Sequence, residues 1–239
     1  MLYEEGYFKL NDPVGQYLPE LATLDVLDRD AAVDGSFGRS PAVGAVTIRH
    51  LLTHTSGIGY RFLGDLGATP RQRALSELYR GAGIADGLAE YDGTIANLVA
   101  ALGQLPLMHE PGTAFTYGLS DDVLGRLVEV LSGDTFEEFL QTRLFEPLGM
   151  VDTYFYLPTG KADRLVSVYT PDGSGGLAEV DGTVQGEHLI YSSTYSTGES
   201  RSNFSGGAGL SSTAHDYARF LQMLLNHYKG LLHQVYPFP

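Results

Sequence analysis

Of the residues able to do chemistry, Tyr117 has the most distinctive setting. The stretch Pro111-Gly112-Thr113-Ala114-Phe115-Thr116-Tyr117-Gly118-Leu119-Ser120-Asp121 leads from a Pro-Gly turn straight into a helical pattern. A phenol is thereby placed at the mouth of a helix, where it can project into a cleft. A phenol ionises at about pH 10, so it needs a nearby cation to act as a base at neutral pH. A nucleophile is harder to find. The chain has three lysines, Lys9, Lys161 and Lys229, and the residues three before them are Gly6, Pro158 and Asn226, so no Ser-x-x-Lys occurs. Gly118-Leu119-Ser120-Asp121-Asp122 fails the Gly-x-Ser-x-Gly elbow at its last position. Turn formation and helix capping account for Ser56 and Ser120.

No metal or cofactor is expected. His50 and His54 are four apart and could share a helix face, but no Glu lies between them and no third ligand is evident, so both read as structural. His109, His188, His215, His227 and His233 are scattered singles. Gly206, Gly207 and Gly209 do not fit a phosphate-cradling Gly-x-Gly-x-x-Gly and read as a flexible connection over Ser205–Leu210.

The elements that must position Tyr117 are mostly short helices. Leu2 to Glu5 read as the tail of a helix stopped by Gly6, a beginning rare for a native domain because an isolated turn is unstable. Val14, Tyr17 and Leu18 share one side of a helical stretch before Pro19, and 28–46 reads as a Gly-, Ser- and Pro-rich loop. Thr47 caps a helix carrying Ile48, Leu51 and Leu52 that ends at Ser56-Gly57. Thr69-Pro70 opens another, with a stripe of Ala74, Leu75, Leu78 and Tyr79, and Thr94 to Leu102 a third. Ser120 is the expected N-cap of a helix with Val123, Leu124, Leu127, Val128 and Leu131 on one face and Gly133 beyond its end. Thr135-Phe136-Glu137-Glu138 fits a capping box, and Pro147 ends that helix. Residues 151–210 suggest short strands and long loops. Thr213 to Asp216 open a last helix with Tyr217, Phe220, Leu221, Leu224 and Leu225. Leu231 to Pro239 has no clear periodicity.

Composition narrows the function classes. The 239 residues carry 15 basic and 29 acidic side chains, a net charge of −14, which would repel a nucleic-acid backbone. The 43% hydrophobic and 18% charged content is that of an ordinary soluble protein with room for a real core. There are no cysteines, which excludes disulfides and thiolate chemistry. No apolar run approaches a membrane span, and Met1 to Glu5 shows no secretory leader; the compartment stays open, cytoplasmic by default, because a leader could have been lost with an N-terminus missing upstream.

Taken together, Val46 to Gly57 (VTIRHLLTHTSG), PGTAFTY and Pro147-Leu148-Gly149-Met150 resemble the serine hydrolases of the penicillin-binding-protein and class C beta-lactamase type. The likeness runs from Glu4-Glu5-Gly6 and Leu10 to Val14 through Ser205–Leu225. It implies an α/β (α+β) fold of the beta-lactamase/transpeptidase kind, of which this chain holds mostly the helical lobe and little of the antiparallel sheet. It also implies an acyl-enzyme reaction on a small-molecule ester or amide, with Tyr117 as the catalytic residue that accepts or relays the serine proton. In such enzymes a Ser-x-x-Lys serine attacks the acyl carbonyl and two backbone N–H groups hold the oxyanion. By resemblance that motif would lie upstream of Met1 and the strand carrying the third motif beyond Pro239. Residues 1–239 then read as a single but incomplete domain, with no activity of its own and apolar faces left uncovered. A sheet of five or more strands would speak against this. The family's Tyr-x-Asn is Tyr117-Gly118-Leu119 here. Asn in that place hydrogen-bonds a substrate amide and Leu119, at the substrate-binding position, cannot, which favours the esterase or transesterase branch. The alternative is a non-catalytic binding or regulatory protein on the same scaffold.

Overall fold

The computed structural model describes residues 1–64, 68–185, 189–199 and 201–226. His188, His227, His233, Lys229 and the stretch Leu231 to Pro239 lie outside them. The chain opens on one turn that closes as a helix C-terminus: the Tyr7 N–H reaches the Leu2 carbonyl at 3.1 Å, the Gly6 N–H reaches that of Tyr3 at 3.1 Å, and Gly6 takes φ +81.

Next comes a hairpin of β1 (Asp25–Leu27) and β2 (Arg39–Pro41), so the segment read as a loop over 28–46 holds a strand. Backbone pairing fixes it: β1 also bonds the Leu107 backbone on its other side, Leu27 N–H to Leu107 C=O at 2.9 Å and Leu107 N–H to Asp25 C=O at 2.7 Å. Helix α1 (Ile48–Leu52) is shorter than its pattern suggested and leaves Leu52 exposed. α2 (Pro70–Gly81) and α3 (Ile95–Leu102) start at the Thr69 and Thr94 caps, as the sequence predicts. α2 buries Leu75 and Tyr79 and leaves Leu78 exposed.

α4 (Ser120–Ser132) runs to Gly133, but its N-cap is Leu119, not Ser120. Ser120 is already inside the helix and fully buried, because the Ser56 hydroxyl lies 3.0 Å from its own. α5 (Phe136–Leu140) begins at the expected Thr135–Glu138 capping box. The helix does not stop at Pro147. It widens to five-residue hydrogen bonding over Gln141–Phe145, and α6 (Glu146–Leu148) carries the proline. The wider turn relieves the clash a proline ring makes with the carbonyl four residues back.

Among the described residues three antiparallel strand pairs complete the mixed α/β fold: β1 with β2, β3 (Tyr169–Pro171) with β4 (Leu177–Glu179), and β5 (Thr183–Gln185) with β6 (Ile190–Ser192). Among the described residues no sheet exceeds two strands. α7 (Ala214–Leu225) starts at Thr213 and packs Met223 against Phe145, Leu148 and Met150.

The main core joins Val14, Leu18, Ile48, Leu51, Leu98 and Val99 to Leu119, Val123 and Leu127 of the Tyr117 segment and α4. Two apolar surfaces remain open among the described residues. Tyr217, Leu221, Leu224 and Leu225 of α7 are exposed. An apolar groove of about 430 Å³ lies between the first turn, α1 and α4, lined by residues including Leu2, Tyr3, Phe8, Leu124, Val128 and Phe139.

Candidate active site

The segment bearing Tyr117 is held by backbone bonds to the turn after α1. The N–H groups of Met108, Gly112 and Thr116 bond the carbonyls of Gly57, Thr55 and His54 at 2.7, 2.8 and 2.8 Å. Gly118 is required by this closeness, since a Cβ there would lie 2.2 Å from the Ile58 carbonyl oxygen and 2.5 Å from the Gly59 backbone. His109 adds a side-chain tie. Its Nδ1 donates to the Glu110 carbonyl at 2.9 Å, which leaves Nε2 to accept the Thr116 hydroxyl at 2.8 Å.

Tyr117 itself is 45% exposed, so its phenol is available to a ligand. Its ring rests against two others. His54 lies 5.0 Å away and Tyr60 lies 5.2 Å away in an edge-on arrangement. His54 adopts φ +49, and its Nε2 lies 3.7 Å from the Asp121 carboxylate. Tyr60 stacks on Phe62 on its other side at 5.0 Å. Burial pushes the Tyr60 phenol well above the ordinary tyrosine value, and the negative charge of Asp122 adds to it.

Asp122 is fully buried in the first turn of α4, with Oδ1 accepting the Gly206 N–H at 3.1 Å. Burial pushes its carboxyl up to about 6, against the lowering effect of the Ser205 hydroxyl and the Gly206 N–H. Behind Tyr60, buried Asp86 receives the Arg61 backbone N–H at 2.9 Å and its guanidinium Nε at 3.2 Å. Burial raises the Asp86 carboxyl and Arg61 pulls it back.

The other candidates fall away from the surface. Leu119, expected at a substrate-binding position, has 0% exposure and belongs to the core, so it presents no side chain to a cleft in this structure. The Ser56 and Ser120 hydroxyls are buried against each other and cannot meet a substrate. His50 and His54 do not form a metal pair: His50 Nδ1 accepts the Thr47 N–H at 3.3 Å, completing the cap of α1, while His54 faces Tyr117. Among the described residues no group of three acidic or histidine side chains is arranged to hold a metal. Ser205–Leu210, read as a flexible connection, is pinned to α4 through Gly206. No helix among them is long and apolar enough to cross a membrane.

Beside Tyr117, Tyr60 escapes sequence reasoning and His54 reads there only as a structural histidine; Asp122, whose charge acts on Tyr60, escapes it too. The one available signal was the acidic pair Asp121-Asp122 in the first turn of a helix, where carboxylates also occur simply to complement the helix dipole.

The Beta-lactamase family model matches residues 1–235. Protein Rv1367c of Mycobacterium tuberculosis is 36% identical over 225 residues, 94% of this chain and 49% of that protein. Lovastatin esterase of Penicillium rubens is 33% identical over 230 residues, 93% of this chain and 50% of that one. The chain thus spans about half the length of the curated relatives it matches. Among solved structures, EstCE1, described as a hydrolase with promiscuous acyltransferase activity, superposes with a TM-score of 0.73 at 26% identity, covering 96% of this chain and 55% of that one.

Proposed function

The chain belongs to the beta-lactamase family, and from that premise we propose that it carries the Tyr117 part of a serine acyl-transfer site for small-molecule esters. The observation that carries this reading is the exposed phenol of Tyr117, held on a rigid backbone ledge at the mouth of α4. In the reaction a serine Oγ bonds to the acyl carbon while its proton passes to the oxygen of Tyr117, which the cationic lysine of the Ser-x-x-Lys pair would hold as phenolate. Tyr117 then returns the proton to the leaving alkoxide as the tetrahedral intermediate collapses, and water or a second alcohol removes the acyl group by the reverse sequence. The Ser-x-x-Lys pair is supplied by polypeptide other than these 239 residues, which contain none. An ester is favoured over a lactam amide because Leu119 stands where the family's Asn would bind an amide, and it is buried. Names among the relatives, an esterase and a hydrolase with acyltransferase activity, point the same way.

The test uses a fluorophosphonate probe and a chromogenic ester on two proteins. The chain alone should show neither labelling nor turnover. A chimaera joining residues 1–235 to the segments of lovastatin esterase outside its match should gain both, and Tyr117→Phe should lower its turnover by roughly 10²-fold or more, the usual worth of a proton-transfer group. Turnover that survives Tyr117→Phe would remove the role given to Tyr117. A folded chimaera that binds ester without labelling would favour the second reading, a non-catalytic binding protein, for which the buried state of Ser56 and Ser120 already speaks.

A further inference from the structure

We propose that Asp122 is a positioning residue of this site: its buried carboxylate anchors the glycine segment Ser205–Gly209 against Tyr60, and Tyr60 backs the ring of Tyr117. The anchor is the Gly206 N–H, 3.1 Å from Asp122 Oδ1. Its neighbours allow no other backbone path so close. A Cβ at Gly206 would lie 2.2 Å from the Asp121 carbonyl oxygen, and one at Gly207 would lie 2.4 Å from the Tyr60 hydroxyl and 3.3 Å from Asp122 Oδ2. The glycine segment, Tyr60 and α4 therefore meet with hydrogen-sized clearance. Tyr60, held from its far side by Phe62, passes that contact to Tyr117 at a ring distance of 5.2 Å.

A buried carboxylate with one backbone donor is also a group whose grip depends on its charge. Ionised, it accepts the Gly206 N–H as a charge-assisted bond; protonated, it accepts more weakly. The groups that face it are Asp121 from the same turn, the phenols of Tyr60 and Tyr195, and the Ser205 hydroxyl with the Gly206 N–H. The Asp86–Arg61 pair acts on Tyr60 from behind. None of these places a cation on Asp122. The segment should therefore be held firmly above the Asp122 midpoint and loosen below it.

The part of this inference that concerns Tyr117 rests on the proposed function; the Asp122–Gly206 anchor does not. The experiment is an NMR titration of the full chain from about pH 4.5 to about pH 8, following the Gly206 amide, the Asp122 carboxyl carbon and the Tyr117 ring. All three should move together with a midpoint of about 6, and Asp122→Asn should abolish the shared movement of the amide and ring. An amide that stays flat while the Asp122 carboxyl titrates would overturn the anchor, even if the Asn variant fails to fold. A Tyr117 ring that ignores a Gly206 transition would overturn the positioning role. A transition that persists in Asp122→Asn would assign it to another group. No readout uses turnover, so failure of the catalytic reading leaves the outcome legible.

Discussion

Placing asparagine at position 119 would write out the Tyr-x-Asn pattern expected there by resemblance, and here it should unfold the site instead of improving it. Leu119 is fully buried in the main core, beside the Ile58–Gly59 backbone that its own segment packs against. Replacing it loses the transfer free energy of a buried leucine, about 1.5–3 kcal/mol. An amide left without partners adds about 1–3 kcal/mol. Leu119→Asn should therefore cost about 2.5–6 kcal/mol, a large share of the roughly 5–15 kcal/mol that stabilises a typical protein. In a chain of this size each kcal/mol shifts the melting temperature by about 2–4 °C, so a drop of at least about 5 °C is expected. Leu119→Met, which keeps the volume, should stay within about 1.5 kcal/mol of the parent. Urea denaturation followed by circular dichroism measures both. An Asn variant within about 1 kcal/mol of the parent would refute the reasoning, for it would mean that position 119 faces a cleft.

Two further substitutions probe the backbone around Tyr117. Gly118→Ala should cost about 1–3 kcal/mol, because the added methyl meets backbone atoms that cannot swing aside; thermal melting checks it, and an unchanged melting temperature would mean the 58–59 and 117–119 strands of chain are further apart. His50 offers a pH test. Burial, and after it the charge of Arg49, holds its imidazole below the ordinary histidine value. The unfolded chain then binds more protons below about pH 6.5, so this contribution is complete above that pH and is lost as pH falls. His50→Gln keeps an acceptor for the Thr47 N–H but cannot titrate. The parent should lose more melting temperature than the Gln variant between about pH 7.5 and about pH 5.5, and equal losses would exclude His50 as the cause.

Sequence patterns fixed the local events well, because caps and amphipathic stripes involve residues within a turn or two of each other. Thr69, Thr94, Thr135 and Thr213 each cap the helix expected of them. PGTAFTY, VTIRHLLTHTSG and the absence of Ser-x-x-Lys likewise sufficed to indicate the family and the missing nucleophile pair. What surrounds Tyr117 was decided by packing at long range. His54 and Tyr60 arrive from the turn after α1, and Gly206 reaches Asp122 from 84 residues away. The same packing buried Ser120 where a cap was expected and drew Leu119 into the core. Burial and proton affinity depend on every segment that closes over a side chain. No pattern within one segment carries that information, so Asp122 is an ordinary first-turn aspartate in the sequence and a carboxyl shifted to about 6 only in the fold.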